Sequence, residues 1–105
     1  MTAGFEHAAV ELREVAAERL GDAAALSALA VAAAGAIGMP PHAPPLVKQA
    51  TGSLVVALLC REGHVVLHAA PGDGVCLVDI VARAPAAPRK GLEVITRRLA
   101  GHARQ

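Results

Sequence analysis

Residue types able to do chemistry concentrate in one stretch, Cys60-Arg61-Glu62-Gly63-His64-Val65-Val66-Leu67-His68. A carboxylate beside two imidazoles suits general acid and base work, and Cys60, His64 and His68 are all of metal-ligand type. Spacing argues against the metal. Side chains four residues apart on a strand share a face but stand about 13 Å apart, too far for two ligands held at ~2 Å from one ion. Only a turn that folded Cys60 back beside a histidine would complete the set, so no metal is expected. Glu62-Gly63 reads most simply as a hairpin turn in which glycine supplies a left-handed conformation at no steric cost. His7 and Glu11 also share a strand face if residues 5–13 are a strand, where they read as an ordinary surface pair. Asp73 lies between two glycines and is most simply a turn residue. No glycine-rich phosphate loop and no Ser-His-Asp arrangement occurs.

The elements that must position these residues follow from local pattern. Residues 54–60 form a short, apolar, partly β-branched run that ends at Arg61-Glu62-Gly63. A second run, residues 64–68, leads to the turn Pro71-Gly72-Asp73-Gly74, and a third covers 75–81. Three strands joined by two turns predict an antiparallel meander. Residues 89–100 set Leu92, Ile95 and Leu99 on one stripe, with Arg89, Lys90, Glu93, Arg97 and Arg98 mostly elsewhere. That is an amphipathic helix able to lie on the sheet, with Gly101 as its stop and 101–105 as a frayed tail. Asp22 is a candidate N-cap, and Leu26, Leu29, Ala30, Ala33 and Ile37 recur at helical spacing before Gly38 and Pro40, which predicts a helix over 23–37. Residues 5–20 stay open between two states. Propensity favours helix, whereas Ala8, Val10 and Leu12 alternate with Ala9, Glu11 and Arg13 as in a strand. The prolines at 40, 41, 44 and 45 exclude a central strand there and predict a loop leading into a short strand at 46–49.

A chain of 105 residues with 54% apolar content is enough for one compact domain. Its apolar residues are mostly Ala, Val and Leu, with one Phe and neither Trp nor Tyr. Such small side chains make a thin core, which favours a larger assembly. The formal net charge of +1, from ten basic and nine acidic residues spread along the chain, leaves no footprint for nucleic acid or an anionic membrane surface. The apolar segment 23–37 spans only ~22 Å as a helix, short of the ~30 Å hydrocarbon core, so no membrane insertion is expected. Two cysteines in apolar runs fit a reducing compartment, and residues 1–7 carry no signal-peptide pattern. The expected location is the cytoplasm.

The segment Glu62-Gly63-His64-Val65-Val66-Leu67-His68-Ala69-Ala70-Pro71, with Val78-Asp79-Ile80 after it, resembles the signature of the short, pyruvoyl-dependent S-adenosylmethionine decarboxylases. That signature runs Glu-Ser-His, three mostly apolar residues, His-Thr-aromatic-Pro-Glu, then an Asp-containing strand. His7 and Glu11 match the spacing of the family's opening Gly-x-His-x-x-x-Glu strand. In the family the serine hydroxyl attacks the preceding glutamate carbonyl, and elimination from the resulting ester leaves a pyruvoyl group as the electron sink. Here that position is Gly63, which has no nucleophile to offer. The adenine-stacking aromatic falls on Ala70, the carboxylate after the proline on Gly72 with Asp73 adjacent, and the catalytic cysteine on Arg83.

The resemblance implies an α+β fold, a two-layer α/β sandwich in which an antiparallel sheet carries its helices on one face. It also implies a homodimer, since the other face needs cover, or a heteromer with an active relative. The departures imply a pseudoenzyme linked to polyamine metabolism, neither self-cleaved nor carrying pyruvoyl or another cofactor. Glu62, Gly63, His68 and Arg83 would then be relict positions. The role would be binding, regulatory or in assembly, with His7, Glu11, His64, His68 and Asp73 as candidate contacts to a nucleoside or amine. His68 serves equally well in this reading as a hydrogen-bonding core histidine. Two alternatives are an enzyme with altered, pyruvoyl-independent chemistry on Glu62, His64 and His68, and a structural subunit whose small-residue helix 23–37 packs closely in a larger complex.

Overall fold

The computed structural model describes residues 4–100 and 102–104. In chain order the elements are β1 (Phe5–Arg13), α1 (Ala17–Leu20), α2 (Ala23–Ile37), β2 (Leu46–Ala50), β3 (Ser53–Cys60), β4 (Gly63–Ala70), a single 3-10 turn (Pro71–Asp73), β5 (Val75–Arg83), α3 (Arg89–Leu99) and β6 (His102–Arg104). The strands form one sheet in the order β2-β3-β4-β5-β1-β6, antiparallel at every pairing. The long helices α2 and α3 pack on one face, giving the α+β two-layer sandwich.

Residues 5–13 resolve as a strand because of partners remote in sequence. Val10 and Leu12 pair with Val78 and Cys76 of β5, and all four are buried beneath the helices. Local helix propensity differs between residues by less than about 1 kcal/mol each, whereas burying one Val or Leu side chain contributes about 1.5–3 kcal/mol. The helical alternative survives only as the single turn α1, where Leu20 is fully buried.

Helix α2 begins and ends where its caps dictate. The Asp22 carboxylate accepts a hydrogen bond from the Ala25 N–H at 3.0 Å, and Gly38 closes the helix with a left-handed φ of 86°. Its buried side is Leu26, Leu29, Ala30, Ala33 and Ala34. The alanines among them let α3 approach so closely that a Cβ on Gly91 would lie 2.6 Å from Ile37 Cδ1. The α3 stripe Leu92, Ile95 and Leu99 completes the core over Ile80 and Val78, while Arg89, Lys90, Arg97 and Arg98 stay exposed.

One expectation at the C-terminal end is corrected. Residues 102–104 are not a frayed tail: they form β6, paired with Glu11, Leu12 and Arg13 at the edge of the sheet. The left-handed residue that ends α3 is Ala100, with φ 53°, while Gly101 lies outside the described residues. The edge strand β1 presents unpaired backbone groups at that position, and pairing satisfies them. No helix among the described residues is long and apolar enough to cross a membrane.

Candidate functional site

The β3–β4 hairpin sets up the site. Cys60 pairs with Gly63 at its end, so the two-residue connection is Arg61-Glu62, and Gly63 is the first residue of β4, opposite Ala82 of β5. This corrects the reading of Gly63 as a left-handed turn residue. Its φ of 159° lies at the extended edge of the positive range, and glycine is needed for a different reason. A Cβ at position 63 would overlap the carbonyl oxygen of Val81 and stand 3.0 Å from Met39 Sδ.

Around that turn lies a cleft of about 500 Å³ lined by Met39, Pro40, Arg61, Glu62, Arg83 and Ala86. Arg83 leaves the end of β5 with its Nε 3.7 Å from Glu62 Oε2 and its guanidinium 5.2 Å from the centroid of the Phe5 ring, within cation–π range.

Alternation along the strands sends His7, Glu11, His64, His68 and Asp79 to the sheet face that carries no helix. Asp79 lies opposite Ala9 and Val66, while His7 and His64 flank Val81, two residues further along β5. His7 Nε2 is 2.5 Å from Asp79 Oδ1 and His64 Nε2 is 3.2 Å from Oδ2. Partial burial pushes the Asp79 carboxyl up, but hydrogen bonds from His7 and His64 and their charge outweigh it, and its pKa falls below the ordinary aspartate value. An ionised carboxylate only accepts, so each imidazole donates from Nε2, and in the neutral ring this leaves Nδ1 as an acceptor.

The remaining candidates separate. Glu11 pairs with Arg13 at 2.6 Å. His68 is exposed on the open face, opposite Leu77. Asp73 sits in the 3-10 turn at the far end of β4 from Gly63, away from His7 and His64. Cys60 is buried on the helix-covered face, opposite to that of His64 and His68. Burial raises its thiol pKa and pushes that of Cys76 up to about 12. Among the described residues no group of three His, Cys, Asp or Glu side chains has metal-holding geometry. Asp79 was missed as a site residue, although it stood in the matched Val78-Asp79-Ile80 strand. A carboxylate in an apolar strand was the available signal.

A family model described as S-adenosylmethionine decarboxylase matches residues 6–105. The chain belongs to the S-adenosylmethionine decarboxylase family. Among solved structures it is similar to the adenosylmethionine decarboxylase from Aquifex aeolicus, with a TM-score of 0.87 and 16% sequence identity over 99% of this chain and 88% of that one. At that identity the likeness speaks for the fold. No curated protein matches the chain. Gly63 is pressed against the Val81 carbonyl, and Arg83 lies beside the same turn.

Proposed function

We propose that this decarboxylase-family chain is an unprocessed, pyruvoyl-free binding protein, acting as a ligand sensor or as a modulator of an active relative. The observation that carries it is Gly63: it lacks a hydroxyl, and the Val81 carbonyl oxygen occupies the direction in which one would be attached. Self-cleavage needs a nucleophile at that backbone position, and neighbouring groups cannot supply an absent one. The ligand site is the cleft of Arg61, Glu62 and Arg83, at the relict processing turn. Mass spectrometry of the purified protein tests the reading: one intact chain is expected, and a fragment beginning at residue 63 with a ketoacid cap would end it.

The protein acts as a homodimer joined through its uncovered sheet face. Phe5, Leu46, Leu59 and Leu77 are large apolar side chains exposed on that face, and a stable interface needs about 800 Å² per partner. Two buried free thiols fit a cytoplasmic setting.

An acid–base enzyme is the second reading, supported by the His64–Asp79 hydrogen bond at 3.2 Å, which orients one imidazole as general bases are oriented. Turnover that His64→Ala abolishes while leaving the fold intact would favour it.

A further inference from the structure

Resting on the reading that the cleft at the Arg61-Glu62 turn is the ligand site, we infer that it selects a small oxyanion, a phosphate or carboxylate on a compact apolar body, and rejects amines. Two guanidinium groups and one carboxylate line it, a net charge of +1. Arg61 makes no side-chain hydrogen bond or ion pair among the described residues. Arg83 meets Glu62 at 3.7 Å, well beyond the 2.7–2.9 Å of a charge-assisted hydrogen bond. Both partners are largely exposed, and a pair of that kind holds weakly. Glu62 is therefore displaceable, and an incoming anion competes for the position it loosely occupies.

The geometry favours planar recognition. Arg83 carries its guanidinium 5.2 Å from the Phe5 ring centroid, within cation–π range, and a guanidinium presents a planar fork of N–H donors that can grip two oxygens of one anion. Met39, Pro40 and Ala86 line the rest of the cleft and offer apolar cover to a short carbon body. A polyamine would meet two guanidinium charges here against a single carboxylate.

The test uses the full chain at fixed ionic strength, with inorganic phosphate, succinate and spermidine as probes in calorimetric titration and thermal-shift assays. Phosphate or succinate raises the melting temperature and spermidine does not. Arg61→Gln and Arg83→Gln each weaken the anion about tenfold, the loss of one charge-assisted contact. Glu62→Gln tightens it severalfold by removing the competing carboxylate. All three side chains are exposed, so these variants fold. Anion binding that ignores both arginine variants overturns the inference, as does no anion binding at all. Spermidine binding that Glu62→Gln abolishes also overturns it while leaving the binding-protein reading intact. Cleavage at residue 63, by contrast, removes that reading itself.

Discussion

The carbonyl oxygen of Val81 stands where a side chain on Gly63 would have to begin. The pairing that brings them together, Gly63 opposite Ala82 and His64 opposite Val81, is part of a continuous ladder. The obstruction therefore cannot be relieved by turning a side chain and requires the backbone itself to move.

A serine placed at position 63 is accordingly not expected to start self-cleavage. Gly63→Ser is expected to lower stability by about 1–3 kcal/mol, the usual cost of forcing atoms into a packed site, and to leave the chain uncut. Intact mass and chemical denaturation measure both. A two-fragment product would show that the backbone can yield.

Acid should loosen the histidine–aspartate cluster. The folded pKa of Asp79 lies below its ordinary value, so its contribution is complete above the unfolded value of about 4 and is lost as pH falls through the folded value. Melting temperatures of wild type and Asp79→Asn should differ at pH 6 and converge toward pH 2. Parallel curves would contradict the linkage.

Charge on the open face should separate the proposed dimer without unfolding the subunit. Leu59→Glu combined with Leu77→Glu alters two side chains that are 48% and 42% exposed in the single chain. Sedimentation equilibrium should change from dimer to monomer with circular dichroism unchanged. A wild type that is already monomeric at high concentration defeats the assembly proposal.

The cap of α2 has its own signature. Asp22→Ala removes the acceptor for the Ala25 N–H and should cost about 1 kcal/mol, read as a lower denaturation midpoint at constant slope. No change would mean that another group takes over the cap.

Thiol labelling should report on burial. Cys76 is fully buried with its pKa pushed up to about 12, so the reactive thiolate is scarce at neutral pH. Ellman's reagent should leave Cys76 unmodified until the protein unfolds.

Short-range signals in the sequence determined a good deal. Asp22 and Gly38 bounded α2 because caps act within one turn. The spacing of Leu92, Ile95 and Leu99 gave α3 its buried side, and a hairpin at Arg61-Glu62-Gly63 followed from two apolar runs around a polar break, although the structure moved Gly63 out of the turn and into β4. The lack of a hydroxyl at position 63 needed no structure at all. Tertiary structure alone decided the rest. Residues 5–13 became a strand, and 102–104 an edge strand, because their partners lie about seventy and ninety residues away, beyond the reach of any local preference. Asp79 became the centre of the histidine cluster only through the register of β5 between β1 and β4, since a shift of one residue would have turned it to the other face. The same register set Val81 against Gly63, which converted a missing atom into an occupied space.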